Sequence, residues 1–114
     1  MKKINYLEKV PYIPDTINFE KDENGIVTLV IENKGMFNFI AQKLFKKPRF
    51  SYIHLDEKGS LVWPLIDGEK TIGEIAALLD GEFPDEGEAL YAGVSKFFEI
   101  LKSYNFVLFK KMQD

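Results

Sequence analysis

Alternating apolar and polar residues predict a β-hairpin and a third strand in the first half of the chain. Residues 17–20 alternate with the period of a half-buried strand, and residues 26–32 continue as its partner. Residues 22–25 supply the turn between them, because Asn and Gly tolerate positive φ. A third strand is predicted over residues 49–55. Its side chains divide between two faces, with Phe50, Tyr52 and His54 on one and Ser51, Ile53 and Leu55 on the other.

Apolar residues recur at helical spacing in later segments. One segment predicts a helix over residues 36–46 that ends before Pro48. Another predicts a helix over residues 57–67, which Pro64 should kink or shorten because its ring clashes with the carbonyl four residues earlier. A further helix is predicted over residues 72–80. Its core stripe comprises Ile72, Ile75, Ala76 and Leu79.

The last predicted helix has an unusually wide apolar arc. It should begin after Pro84, with Asp85 as N-cap and Glu88 at the third helical position, and end near residue 103. Its core stripe comprises Leu90, Val94, Phe97 and Leu101, and beside that stripe lie Tyr91 and Phe98, flanked by Ser95 and Lys102. Either another element covers this additional apolar surface, or a ligand docks there. Residues 106–109 are predicted to form a terminal strand.

Together these elements predict an α+β fold. A small antiparallel sheet would pack on a three-helix bundle in a winged helix-turn-helix-like arrangement, with the helix over residues 36–46 as an insertion. A chain of 114 residues, 46% of them hydrophobic, suits one core. We therefore expect a single domain over residues 1–114, with its core in residues 17–109. Trp63, which lies among aliphatic residues, is expected in that core.

The composition argues against catalysis, metal binding and a membrane span. The chain has no cysteine and a single histidine, His54, which we expect to be a hydrogen-bonded structural residue. It contains neither a Gly-rich phosphate loop nor a Ser/His/Asp order, so we expect no enzyme activity and no cofactor. Carboxylates such as Asp56 and Glu57 suit helix capping. No apolar segment of about 18 residues occurs, which favours a cytoplasmic protein without a signal peptide.

The net charge of −3 is unevenly distributed. Residues 1–54 carry a net charge of +3, and residues 55–114 carry −6. DNA-binding proteins gain much of their affinity from cations placed along phosphates, so an acidic second half argues against nucleic-acid binding.

The stretch from residue 55 to residue 75 has the layout of two helices joined by a short corner. Asp56 can cap the first helix, Gly68 can end it in a left-handed conformation, and Thr71 with Glu74 forms a capping box for the second. This order of residues resembles the PqqD family, coenzyme PQQ synthesis protein D and its relatives. The matching residues are Leu55-Asp56, Gly59, Leu61-Val62-Trp63, Leu65-Ile66-Asp67-Gly68, Lys70-Thr71 and Ile72-Gly73-Glu74-Ile75.

The resemblance implies a function in the recognition of ribosomally made, modified peptides. Such modules are non-catalytic chaperones that bind the leader of a precursor peptide and present it to a modifying enzyme, commonly a radical SAM enzyme. In them the leader adds a strand beside the third strand and packs against the third helix. The peptide-binding candidates carried over in this way are Phe50, Tyr52, Ile53 and His54 on the strand, and Tyr91, Val94, Ser95 and Phe98 on the helix.

Other readings of the chain stay open. A basic cluster comprises Lys43, Lys46, Lys47 and Arg49. It would suit a solvated helix end, an acidic leader segment, a partner enzyme or anionic lipid. The apolar helix over residues 36–46 would pack in the core, mediate self-association as in a homodimer, or lie on a membrane surface. The rival functions are a winged-helix transcription regulator and a bare oligomerisation module.

Overall fold

The computed structural model describes residues 6–32 and 50–111, and the α+β prediction is confirmed. The predicted helix over residues 36–46 and the basic cluster at residues 43–49 lie outside the described residues. Contacts group the chain into two compact units, one comprising Asp15–Ser60 and the other Met1–Pro14 with Leu61–Asp114. That the whole chain is one domain stays a prediction.

The first unit contains a three-stranded antiparallel sheet in the order β2-β3-β4. The strands are β2 (Ile17–Lys21), β3 (Val27–Glu32) and β4 (Phe50–His54). The predicted hairpin between β2 and β3 is confirmed, and its turn contains Gly25 at a φ of 84°. Asp22 stabilises the turn, because its Oδ1 accepts the backbone N–H groups of Asn24 at 2.8 Å and Ile26 at 3.0 Å.

A buried serine ties the start of β3 to the helix that follows β4. Helix α1 (Glu57–Val62) begins after Asp56, whose Oδ1 accepts the Gly59 N–H at 2.7 Å as predicted for an N-cap. Ser60 is 3% exposed, and its Oγ accepts the Val27 N–H at 2.8 Å. The same hydroxyl lies 3.5 Å from the Leu55 carbonyl oxygen, to which it donates. Ser60 therefore satisfies backbone groups of β3 and of the residue after β4, a role that the sequence pattern did not predict.

Helix α1 is shorter than predicted. It ends at Val62, and a 3-10 helix over Trp63–Leu65 follows, with Pro64 in its first turn. Proline cannot donate the hydrogen bond that would continue the α-helix, so the predicted interruption is confirmed, but the predicted extent to residue 67 is wrong. Trp63 is 0% exposed, which confirms that it is a core residue.

The second unit contains helix α2 (Ile72–Asp80), whose bounds match the prediction. The predicted capping box is present: the Thr71 side chain accepts the Glu74 N–H at 3.1 Å, and the Glu74 carboxylate accepts the Thr71 N–H at 2.8 Å. The buried residues of the helix are those of the predicted stripe, Ile72, Ile75, Ala76 and Leu79.

Helix α3 (Glu88–Ser103) corrects two predictions. It begins at Glu88 after Gly87, which has a φ of 53°, so the prediction that Asp85 is the N-cap and Glu88 the third helical residue is wrong. The turn at residues 84–87 delays the start of the helix. Its buried residues are Leu90, Val94, Phe98 and Leu101. Phe98, rather than Phe97, therefore completes the core stripe, and Phe97 is half-buried.

A second, two-stranded sheet was not predicted. Strand β1 (Pro11–Tyr12) pairs antiparallel with β5 (Leu108–Phe109), so the terminal strand is shorter than the predicted residues 106–109. A 3-10 helix over Tyr6–Glu8 precedes β1 and contacts α2 and α3. The Ile72 N–H also donates to the Lys9 carbonyl at 2.9 Å. The segment before residue 17, which the predicted core left out, thus contributes to this unit.

Candidate functional site

Strand β4 is exposed along most of its length. Tyr52 is 58% exposed, and Phe50 and Ile53 are each 37% exposed. His54 is also exposed, whereas Ser51 is half-buried. Because neighbouring side chains of a strand point to opposite faces, both faces of β4 are accessible. A strand of this kind can offer side-chain contacts on either face to a ligand.

The hydrogen bonds of β4 alternate between its two edges. The Leu55 N–H donates to the Val27 carbonyl at 2.9 Å, which fixes the phase of the antiparallel ladder. In such a ladder every second residue points its N–H and C=O towards the partner strand. Ser51 and Ile53 therefore point theirs towards β3, while Tyr52 and His54 point theirs towards the opposite edge. Within residues 6–32 and 50–111, no strand pairs with that edge.

The two faces of the sheet differ in polarity beside β4. On one face, Ile53 lies opposite Leu29 of β3, which is 0% exposed and has Phe19 as its partner on β2. On the other face, Tyr52 lies opposite Val30, whose partner on β2 is Asn18. One face therefore continues an apolar row, and the other combines an aromatic ring with polar neighbours. A strand added at this edge would meet apolar surface on one side and a mixed surface on the other.

His54 has a local structural role. Its Nδ1 lies 2.7 Å from Thr28 Oγ1, and the two residues are cross-strand partners in the β3-β4 pair. This contact agrees with the prediction of a hydrogen-bonded structural histidine. It also fixes the side chain at the end of the candidate edge.

The helix candidates are less accessible than the strand candidates. Phe98 is 0% exposed and Val94 is 5% exposed, so in this fold both side chains are core residues. Tyr91 and Ser95 are half-buried. The four strand candidates share β4 in one unit and the four helix candidates share α3 in the other. That the two sets line one groove stays a prediction, and the anion-contact candidates at residues 43–49 lie outside the described residues.

The corner before α2 is an electrostatic and hydrogen-bonded turn. Asp67 Oδ1 accepts the backbone N–H groups of Glu69 and Lys70, each at 2.9 Å, and Lys70 Nζ lies 2.6 Å from Asp67 Oδ2. The Lys70 side chain, followed by these two backbone donors, holds the pKa of Asp67 well below its ordinary value of 3.8. Gly68 has a φ of 80°, the left-handed conformation that was predicted for it. The carboxylate, the lysine and the two backbone N–H groups bind one another, so we interpret the corner as a structural element.

Clusters of metal-ligating side chains were sought among the described residues and none was found. Across residues 6–32 and 50–111, His, Asp and Glu side chains form no group of three or more that could hold one. In the same part of the chain, no helix has both the length and the apolar composition to cross a membrane.

Comparison with protein families relates the chain to a known family. The family model described as coenzyme PQQ synthesis protein D (PqqD) matches residues 45–107, which is more than half of the chain. The matched segment includes β4 and the α-helices α1, α2 and α3 of the described residues, and excludes the β2-β3 hairpin. A search of curated proteins and of solved structures found no match.

Proposed function

This chain belongs to the PqqD family, and we propose that it binds the leader of a precursor peptide by strand addition and presents the peptide to a modifying enzyme. The family is one of accessory, peptide-binding proteins of coenzyme PQQ synthesis. The proposed enzyme partner is a radical SAM enzyme, and the proposed role of this chain is non-catalytic. The leader and the modified product are specific to the pathway that the chain serves.

The observation that carries the proposal is the edge of β4 with which no strand of the described residues pairs. The outward N–H and C=O groups of Tyr52 and His54 can each pair with the backbone of an extended peptide, because an edge strand is a template for another strand. Backbone pairing supplies affinity without reading the sequence. Selectivity then depends on the side chains beside the peptide, and Tyr52 is the most exposed of the large hydrophobic residues in β4.

The faces of the sheet define the leader chemistry that would fit. A peptide strand beside β4 would place every second side chain next to Ile53, on the face that contains buried Leu29. Apolar residues two positions apart are therefore favoured on that face. The intervening side chains of the peptide would lie beside Tyr52. Aromatic or aliphatic side chains suit that position, and polar ones suit the positions next to it, because this face of the sheet is mixed. We expect the leader to contain such an alternating segment.

The test is peptide binding by variants that separate backbone pairing from side-chain contact. The probes are fluorescently labelled peptides from short reading frames beside the gene, titrated into the full chain. Tyr52→Pro removes an outward N–H without removing a β3-β4 hydrogen bond, and proline is tolerated on edge strands. Tyr52→Ala removes only the side chain. We expect Tyr52→Pro to weaken binding about tenfold or more, and Tyr52→Ala to weaken it less.

Matched controls are available on β2, the other edge strand of the same sheet. Lys21→Pro alters an outward-pointing N–H of β2, and Phe19→Ala removes a 47% exposed aromatic ring. Both should bind peptide like the unmodified chain. Ser51→Pro is unsuitable, because it would remove a hydrogen bond to β3 and so disrupt the sheet. A folded Tyr52→Pro variant with unchanged peptide affinity would rule out strand addition at β4.

A duplex DNA probe distinguishes this proposal from the winged-helix regulator. The residues from 55 onward carry a net charge of −6, so we expect weak DNA binding near physiological salt. Sequence-selective DNA binding that persists at that salt concentration, together with no peptide binding, would favour the regulator.

A further inference from the structure

A row of polar side chains crosses the three-stranded sheet and ends on β4. Glu20 of β2 is the cross-strand partner of Thr28 on β3, and Thr28 is the partner of His54 on β4. Glu20 and His54 are exposed, and Thr28 is half-buried. Cross-strand partners share one face of a sheet. His54 is therefore the last side chain of this row, next to the place that an added strand would take.

The contact with Thr28 fixes the direction of the His54 ring. Nδ1 lies 2.7 Å from Thr28 Oγ1, so this nitrogen faces β3. The two ring nitrogens are distinct, and across a five-membered ring they form hydrogen bonds in widely different directions. Nε2 therefore points away from β3, towards the side of β4 on which no strand of the described residues lies.

The backbone of His54 would bring a peptide side chain close to Nε2. Its N–H and C=O point to the same outer edge as those of Tyr52. In a paired strand, the residue directly opposite has its Cβ about 4.5 to 5.5 Å from that of its partner, on the same face. A carboxylate of Asp or Glu at that place can reach Nε2.

The Thr28 hydroxyl suits both protonation states of the ring, because a hydroxyl can donate or accept. In neutral His54, the hydroxyl donates to Nδ1 and the proton is on Nε2. In the imidazolium, Nδ1–H donates to Thr28 Oγ1, and Nε2 still carries a proton. Nε2 is thus a hydrogen-bond donor in both states, and in the charged state it also forms an ion pair with a carboxylate.

The charged groups near His54 are carboxylates on other elements or later in the chain. On β3, Thr28 and Val30 of the same face are uncharged. Glu20 on β2 is two strands away, or about 10 Å. Asp56 and Glu57 follow His54 in the chain, and Asp56 Oδ1 already accepts the Gly59 N–H. These groups are the same with and without a peptide, so a change on binding reports the peptide.

We propose that His54 selects an acidic side chain of the leader and makes its binding depend on pH. This inference rests on the proposed strand addition at β4. The leader would then have three consecutive positions: an aromatic or aliphatic residue beside Tyr52, an apolar residue beside Ile53 and Asp or Glu beside His54. Affinity should rise as pH falls from about 8 to about 6, because histidine gains its charge in this range while Asp and Glu stay ionised.

Peptide titration at the two pH values tests the proposal. The probes are the labelled peptides from short reading frames beside the gene, together with versions in which one Asp or Glu is replaced by its amide. We expect one such replacement to weaken binding about two- to fivefold at the lower pH, as for exposed ion pairs. The same replacement should remove the pH dependence. Binding that is independent of pH, or that no amide replacement weakens, would overturn the proposal.

Three variants of the full chain separate charge from ring position. His54→Gln removes the titrating group and should remove the pH dependence. Thr28→Val removes the hydroxyl that holds the ring and should reduce the pH dependence, whereas Thr28→Ser keeps the hydroxyl and should preserve it. Circular dichroism checks that each variant folds. A folded His54→Gln variant with unchanged pH dependence would assign the effect to another group and contradict the proposal.

Nuclear magnetic resonance observes the ring directly. His54 is the single histidine of the chain, so selective labelling of histidine with ¹⁵N gives ring signals from one residue. We expect the proton of the neutral ring on Nε2, and we expect bound peptide to keep the imidazolium to higher pH. A neutral ring with its proton on Nδ1, or ring signals that bound peptide leaves unchanged, would overturn this inference alone. If no peptide binds at all, the proposed function fails as well.

Discussion

Helices α2 and α3 belong to the same compact unit but begin in different ways. Helix α2 has nine residues and starts with the reciprocal hydrogen bonds of Thr71 and Glu74. Helix α3 has 16 residues and starts after Gly87, which has no side chain with which to cap it. Short helices are marginal in isolation, so local hydrogen bonds at an end contribute a larger share of their stability. The longer helix depends mainly on the residues that it buries.

The same contrast extends to the faces of the two helices. Helix α2 buries the four residues that its periodicity indicates. On α3 the apolar arc is wide enough to be buried in more than one rotation, and the structure buries Phe98 while Phe97 is half-buried. Local chemistry defines α2, whereas the start of α3 follows the turn at residues 84–87 and packing selects the rotation of the helix. Four predictions test this difference.

The largest expected effect comes from the two adjacent phenylalanines of α3. Phe98 is 0% exposed, so Phe98→Ala should lower the free energy of unfolding by about 3 to 5 kcal/mol. Phe97 is half-buried, and Phe97→Ala should cost clearly less. Chemical denaturation followed by circular dichroism measures both values. Equal costs would mean that the rotation of α3 differs from that described. For a contact between this helix and a peptide, Tyr91→Ala is the better test, because Tyr91 is half-buried whereas Phe98 belongs to the core.

The glycines at two helix boundaries should respond in opposite directions. Gly87 has a φ of 53° and a ψ of −126°, a conformation that residues with a Cβ rarely adopt. Gly87→Ala should therefore cost of the order of 1 to 3 kcal/mol. Gly81, after α2, has a φ of −62°, and a Cβ there would meet nothing within 4 Å. Gly81→Ala should be neutral or stabilise by about 0.4 to 1 kcal/mol.

Thermal melting of the two alanine variants at equal concentration checks this pair. A stabilising Gly87→Ala substitution would indicate that α3 begins earlier, with ordinary helical backbone at that position.

Removal of the cap of α2 should have a moderate effect. Thr71→Ala deletes the acceptor of the Glu74 N–H and should cost about 1 kcal/mol. Asp85→Ala is the matched control. Asp85 precedes Glu88 by three residues, as Thr71 precedes Glu74, but Asp85 lies in the turn before α3. It should change stability little. Urea titration of both variants checks the difference, and a larger loss for Asp85→Ala would contradict the boundary of α3 at Glu88.

The smallest expected effect is the pH dependence of the corner before α2. The pKa of Asp67 is lowered in the folded state, first by the Lys70 side chain, so its contribution to stability is present above the ordinary pKa of 3.8. That contribution is lost as pH falls below this value, because the unfolded state then binds a proton first. Asp67→Asn should therefore be less stable than the unmodified chain near neutral pH.

The stability difference between the two chains should be constant from pH 7 to about pH 5 and then shrink in acid. Urea unfolding at a series of pH values measures it. A difference that already shrinks between pH 7 and pH 5 would exclude Asp67 as its source. The segment at the start of α3, residues 84–88, contains carboxylates but no lysine that could pair with them in a corresponding turn.

The sequence alone was sufficient for several turns and caps in which hydrogen bonds act between near neighbours, although the cap that it predicted for α3 at Asp85 was wrong. The Asp22 turn, the Asp56 and Thr71 caps, the left-handed Gly68 and the interruption at Pro64 each depend on residues within about one turn of chain. The PqqD pattern falls in the same stretch, and the family match over residues 45–107 agrees with it. Local backbone chemistry is specific enough to be read from residue types.

Only the tertiary structure decided the features that join distant segments. The pairing of β1 with β5, the hydroxyl of Ser60 beside Val27, and the burial of Phe98 all depend on which surfaces meet. The phase of the β3-β4 ladder likewise determines that Tyr52, rather than Ser51, turns its backbone to the open edge. The periodicity of the sequence indicates which residues can be buried or paired. Several burial patterns and pairings satisfy the same local geometry, so only the contacts between distant segments select one of them.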